Sequence, residues 1–273
     1  MEWWNTVNPG VPAALVTAVL LGIIHGLVPD EHTWPITFSY AVGSYSTRGG
    51  LRAGLLFSLT FTLQRAIACE LAWLGLSHWM QSEQLNQILL IPIGLLMAVG
   101  GWLMQRRRHA HGKLASAMAR LTSRMPALHG FIAGWGVGAF AMILYSTLAP
   151  AMPSIWWGWL PGALFGLGTA LIQGAAGAIF GNLAASQQLS PADMEELGLV
   201  TASRTLSWGG VAYALAGIAG LTNPALAHWE VSTGLRITGM THLDLPIIIA
   251  ILTVAGIGLF TFVSKLQQLR RRP

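Results

Sequence analysis

Stretches of about twenty mainly apolar residues recur along this chain, and a backbone that crosses a bilayer alone satisfies its polar groups there only as a helix. Seven stretches qualify, at about 11–29, 54–79, 85–105, 127–149, 156–181, 205–222 and 246–264. The expected fold class is therefore all-α, a polytopic membrane helix bundle of about seven transmembrane helices. Composition agrees: 53% of residues are hydrophobic and only 9% are charged, far below the roughly one quarter that covers a water-soluble domain. The single cysteine, Cys69, excludes an internal disulfide. The first ten residues carry Glu2 and no Lys or Arg, and no A-x-A-like site follows, so a cleaved signal is not expected.

The basic residues give the orientation. Thirteen of the fifteen Lys and Arg fall in one set of connections: Arg48 and Arg52; Arg106, Arg107, Arg108, Lys113, Arg120 and Arg124; Arg204; and Lys265, Arg270, Arg271 and Arg272. The other set holds only Arg236, and Arg65 falls inside the second span. By the positive-inside rule this places the N-terminus outside and the C-terminus in the cytoplasm, in what is expected to be a bacterial inner membrane. The basic pI of about 10.0 is thereby explained without a nucleic-acid partner. The whole chain, 1–273, reads as a single transmembrane domain. A first helical unit (about 11–105) is joined by a basic cytoplasmic loop (106–126) to a second (about 127–222), and a last helix (about 246–264) follows. Three spans per unit would invert the second unit relative to the first, a 3+3 arrangement common among transporters.

The polar residues worth attention cluster at the end of span one, in His25-Gly26-Leu27-Val28-Pro29-Asp30-Glu31-His32. On an unbroken helix, His25 and His32, seven apart, would differ by about 20° and share a face. Pro29 works against an unbroken helix, because it removes a donor and clashes with the preceding turn. A broken helix frees backbone carbonyls and lets imidazole and carboxylate converge, a donor set suited to divalent transition metals. Ionisable groups at membrane depth are costly, which makes them candidates for function.

HGLVPDEH, followed by an apolar stretch and SYSTRGGLRAGLLFSLTFTLQRA, resembles the nickel/cobalt transporter superfamily, including its urease-accessory and efflux branches. The likeness runs over about residues 20–70. Members carry H-x4-D-H in an early helix, often as HG-x-x-PDH, a motif tied to metal binding and transport. The resemblance implies that His25 and Asp30 are metal ligands. Glu31 stands where the family has its second His, with His32 displaced by one, and Gln64-Arg65 stands where a Gly-His pair is expected. HGFIAGWGVGAF (129–140) is similar to a Gly-rich family helix but has no acidic residue.

Elsewhere in the spans, Arg65 needs a partner: Glu70 five residues on, or Asp30 or Glu31 across the bundle. His129 opens span four on the side of His25 and is a possible further ligand. His109 and His111 lie among arginines, so that segment reads as a topology anchor. Gln173 and Asn182 read as helix-packing or pathway groups, His228, His242 and Asp244 as outer-loop residues, and Trp156, Trp157 and Trp159 as an interfacial belt. No G-x-S-x-G, P-loop, CxxC or HExxH occurs, so an enzyme is not expected. The expected function is a permease or exporter for a divalent metal cation. Nickel or cobalt is implied by resemblance, and iron or manganese is left open by Glu31. No tightly bound cofactor is expected. The alternative is a transporter-like subunit with a scaffold role in a membrane complex. The partners are the lipid bilayer, the metal ion, and other membrane subunits or further copies of the chain.

Overall fold

The computed structural model describes residues 10–28, 30, 33–80, 82–235 and 241–272, without the side chains of Trp79, Met80, Glu83, Arg108 and His109. Helix α1 (Val11–Leu27) starts with a proline in its first turn, where the missing N–H is harmless, and ends at Val28 in extended backbone. Val28 precedes a proline, and the residue before proline is driven out of the helical region. Helix α2 (Trp34–Val42) is short and almost wholly buried. Helix α3 (Thr47–Leu71) is capped by the Ser46 side chain, which accepts from the Gly49 N–H. It runs on through a π-helical segment (Ala72–Leu76), in which Gly75 takes φ 90°, into the short α4 (Ser77–Met80). Only glycine adopts that conformation without strain.

Helices α5 (Glu83–His109) and α6 (Gly112–Ala133) follow. The basic segment expected to be a loop at 106–126 is thus mostly helix. Its Ala, Leu, Met, Lys and Arg residues are strong helix formers, and it buries Thr122, Met125 and Pro126 while Lys113 and Arg120 stay exposed. Span four, expected to be continuous at 127–149, is broken instead. Irregular backbone at 134–138 separates α6 from α7 (Ala139–Ile143) and its π-helical extension (Leu144–Leu148). The chain then forms α8 (Leu160–Ala185), α9 (Pro191–Thr222), the short α10 (Pro224–Ala227) and an antiparallel pair of strands, β1 (Glu230–Ser232) and β2 (His242–Asp244). It closes with α11 (Leu245–Ile251), a π-helical stretch (Leu252–Leu259) and α12 (Phe260–Arg270).

Among the described residues, four helical runs are long and apolar enough to cross a membrane: Thr47–Leu76, Gln84–Arg107, Leu160–Ala185 and Leu245–Arg270. Helices α1 and α7 with its extension are apolar but shorter. Their outward faces expose Leu20, Leu59, Leu63, Leu171, Ile179 and Phe260. Such a surface fits an integral membrane protein and is a liability in water.

Small residues decide which helices touch. Helix α3 lies along α8, α5 along α9, α1 along α8 and α6 along α3. At the first contact a Cβ on Gly50 or Gly54 would run into the backbone of Gly177 or Gln173, and at the second a Cβ on Gly94 would meet that of Gly210. Close backbone approach through glycine is the usual membrane solution, because lipid supplies no hydrophobic drive between helices. The main core gathers around Phe57, Phe61, Phe165, Leu144 and Tyr145. A second core packs Phe262 and Leu269 of α12 with Phe38, Val42 and Leu197.

Candidate functional site

The break after α1 leaves carbonyls without helical partners, and the tertiary structure supplies them. The Gly26 carbonyl accepts from Trp34 Nε1 at 3.2 Å and from Gln173 Nε2 at 3.1 Å. One turn earlier, the Gly22 carbonyl accepts from Thr169 Oγ1 at 3.1 Å. These bonds fix the end of α1 against α2 and α8, and so fix His25. Its ring is buried among three phenylalanines of three helices. It stacks on Phe61 and Phe165 at 5.6 and 5.1 Å, and meets Phe140 edge-on at 5.2 Å. The Asp30 carboxylate reaches back across the break, placing Oδ2 3.5 Å from His25 Nδ1. The imidazole and carboxylate converge as expected from the sequence. Glu31 and His32, the other two members of the expected cluster, lie outside the described residues. Among the described residues no group of three or more His, Cys, Asp and Glu side chains is arranged to hold a metal ion.

Arg65 occupies the other side of the same aromatic cluster. It is 4% exposed, and its guanidinium carbon lies 5.0 Å from the centre of the Phe61 ring and 5.8 Å from those of Phe165 and Tyr145. Nη1 donates to the Tyr145 hydroxyl and Nη2 to the Gly136 carbonyl at 3.1 Å, whereas Nε has no partner among the described residues. The expected pairing with Glu70 is not made. Among the described residues no carboxylate is within ion-pair distance of Arg65, and Glu70 Oε2 lies beside Gly158 without a hydrogen bond to any described group. Gln64 is fully buried against Gly134. Its amide lies beside the Tyr145 hydroxyl but hydrogen-bonds no described group.

His129 is buried but held by different neighbours from those of His25. Its Nδ1 lies 3.0 Å from the Met125 carbonyl and 3.4 Å from the Tyr40 hydroxyl, and its ring tilts against Tyr40. A carbonyl only accepts, so Nδ1 carries the proton and Nε2 keeps its lone pair. Nε2 has no partner among the described residues. Three residues of the site carried no signal of their own in the sequence: Tyr145, Gly136 and Phe140. They share one apolar, Gly-rich stretch, and only the fold brings it to Arg65 and His25.

Two of the cavities come close to these residues. One of about 560 Å³ is lined by Asn86, Gln87, Val137, Gly138, His228, Glu230 and Asp244. Its floor begins one residue beyond the Gly136 carbonyl that Arg65 holds. Near its rim, His242 Nδ1 lies 3.0 Å from Glu230 Oε1. A smaller cavity of about 190 Å³, lined by Arg52, Arg107, Ser44 and Thr122, reaches Tyr40, the neighbour of His129. Comparison with family models, with curated proteins and with solved structures returned no match.

Proposed function

We propose that this protein is a membrane permease that moves a divalent transition-metal cation through the broken end of α1. Nickel or cobalt is favoured by the resemblance of the motif, and iron or manganese by the extra carboxylate of Glu31. The observation that carries this reading is the convergence of the His25 imidazole and the Asp30 carboxylate across a helix break in a buried position. A neutral ring nitrogen and a carboxylate oxygen are donors for such ions. Water or the adjoining Glu31 and His32 of the sequence cluster complete the coordination.

The broken helices support transport over a purely structural role. Irregular backbone at membrane depth is tolerated where it lines a cavity, and paired interruptions in two halves mark transporter sites. Here the dipeptide His25-Gly26 precedes the first break and His129-Gly130 precedes the second. Exchanging α1 with α6 and α3 with α8 relates two of the contacts, α1 on α8 and α6 on α3, although α6 also packs on α5 and α1 makes no comparable contact with α9 among the described residues. We read this as two inverted units related by a pseudo-twofold axis, within seven spans whose basic ends are cytoplasmic. The cavity at Asn86 and His228 is then the outer vestibule. The cavity at Arg52 and Arg107 is the inner one, and the two units rock to open each in turn.

The test is the metal content of cells expressing the chain. Steady-state nickel and cobalt shift from the vector level for the parent, and His25→Ala and Asp30→Asn return them to it. Variants that shift metal content as strongly as the parent would sink the proposal.

A further inference from the structure

Arg65 raises a difficulty for any cation bound beside it. Its guanidinium and the His25 ring touch the same two phenylalanines, so a divalent ion at His25 has a fixed positive charge about one ring away. The hydrogen-bonding potential around Arg65 is also incomplete. Nε–H and the Gln64 amide have no partners among the described residues, although both residues are more than nine-tenths buried. The Tyr145 hydroxyl accepts from Arg65 and so keeps its own hydrogen to donate. Buried donors without acceptors are rare in folded proteins, and each such group calls for a missing partner.

We propose that Arg65, Gln64 and Tyr145 form a receptor for a small planar oxyanion of the carboxylate class. The guanidinium supplies charge and a forked pair of donors, which fits two oxygens of one plane. The Gln64 amide and the Tyr145 hydroxyl add neutral donors from the flank. The aromatic rings exclude water, so the interaction is screened less than at a surface. The route in is short. Arg65 holds the carbonyl of Gly136, and the next two residues, Val137 and Gly138, line the 560 Å³ cavity. That backbone is irregular, and the Val137 N–H donates to Asn86 Oδ1 at 3.3 Å while the Gly138 carbonyl accepts from the Met142 N–H at 3.0 Å. An oxyanion bound there offsets the charge that Arg65 places beside the cation. This site does not depend on metal transport and is tested without it.

The experiment is thermal unfolding of the full chain in mild detergent, titrated with sodium acetate or sodium chloride at matched ionic strength, with sodium sulfate as a control for general salt effects. The parent midpoint rises and saturates with acetate but not with chloride. Arg65→Gln abolishes the saturable rise, and Gln64→Leu moves half-saturation up roughly tenfold to a hundredfold, the effect of losing one hydrogen bond to an ion. A parent that responds equally to acetate and chloride overturns the proposal, as does an Arg65→Gln protein that responds like the parent. If Arg65→Gln does not fold, Gln64→Leu decides: an unchanged half-saturation overturns the proposal.

Discussion

Arg65 carries a full charge into a place with almost no water, where the effective penalty for an uncompensated ion is several kcal/mol. Two kinds of contact work against that penalty. Hydrogen bonds to a charged group are worth about 1.5–3 kcal/mol each, and Arg65 makes two. A desolvated cation over an aromatic ring gains about 2 kcal/mol at best, and three rings lie within reach. Arg65 is therefore held by neutral groups to an extent that an ion pair with Glu70 could not have matched from five residues away on the same helix. We predict that Tyr145→Phe, which keeps the ring and removes the acceptor, lowers stability by about 1.5–3 kcal/mol, read from denaturant unfolding in detergent. A change below about 0.5 kcal/mol would mean that the hydroxyl does not support Arg65. At this scale the sequence announced His25, Asp30 and Arg65, because polar groups stand out in apolar runs. It could not announce Tyr145 or Phe140, which look like any other core aromatic and come from another part of the chain.

Among the helices, the first break was legible and the second was not. Val28 and Pro29 predict the end of α1 by local sterics alone. The residues 134–138, with three glycines in five positions, allow either a helix or an irregular turn. Distant partners make the choice: Asn86 takes the Val137 N–H and Arg65 takes the Gly136 carbonyl, groups that a continuous helix would have bonded internally. The segment 106–126 shows the converse. Its charge suggested a loop, yet helix propensity and a buried stripe through Thr122 and Met125 make it helix. The glycine contacts give a direct test. Gly54→Ala forces α3 away from the backbone of Gln173 on α8, and we predict a cost of about 1–3 kcal/mol from this overpacking. Gly256→Ala, where a Cβ meets nothing within 4 Å, serves as the control and leaves the unfolding midpoint unchanged or slightly raised.

Over the whole molecule, the two ends of the bundle are closed differently. At the end rich in Lys and Arg, α12 is clamped to the start of α9. Arg272 Nη1 lies 2.9 Å from Glu196 Oε2 and 3.5 Å from Asp193 Oδ1, and Lys265 Nζ lies 2.8 Å from Glu196 Oε1. The hydrogen bond from Arg272, then that from Lys265, pulls the Glu196 carboxyl from 4.5 down to about 2. A depressed carboxyl stabilises the fold above its unfolded value, and that contribution disappears as pH falls. We predict that protection of α12 from amide exchange is full above about pH 4.5 and declines toward pH 2. Glu196→Gln should lack this clamp at neutral pH and show no such decline. A parent and variant with identical protection across that window would show that the clamp does not hold α12. The opposite end holds the 560 Å³ cavity beside Gly138, and a cavity of about 540 Å³ lined by Arg107, Glu195 and Glu196 adjoins the clamp.

What the sequence determined alone was the solvent and the elements. Apolar runs of membrane length, few charges and a strong bias in basic residues leave a helical membrane protein as the reading, since each of those properties is additive along the chain. It also marked the break at Pro29 and the His25–Asp30 pair, which are local in sequence. The partners of Arg65, the second break and the choice of which glycine faces which backbone were decided only in three dimensions. Each depends on groups from separate helices competing for the same buried donor, carbonyl or space. The outcome is set by which helices approach closely enough to exclude both lipid and water.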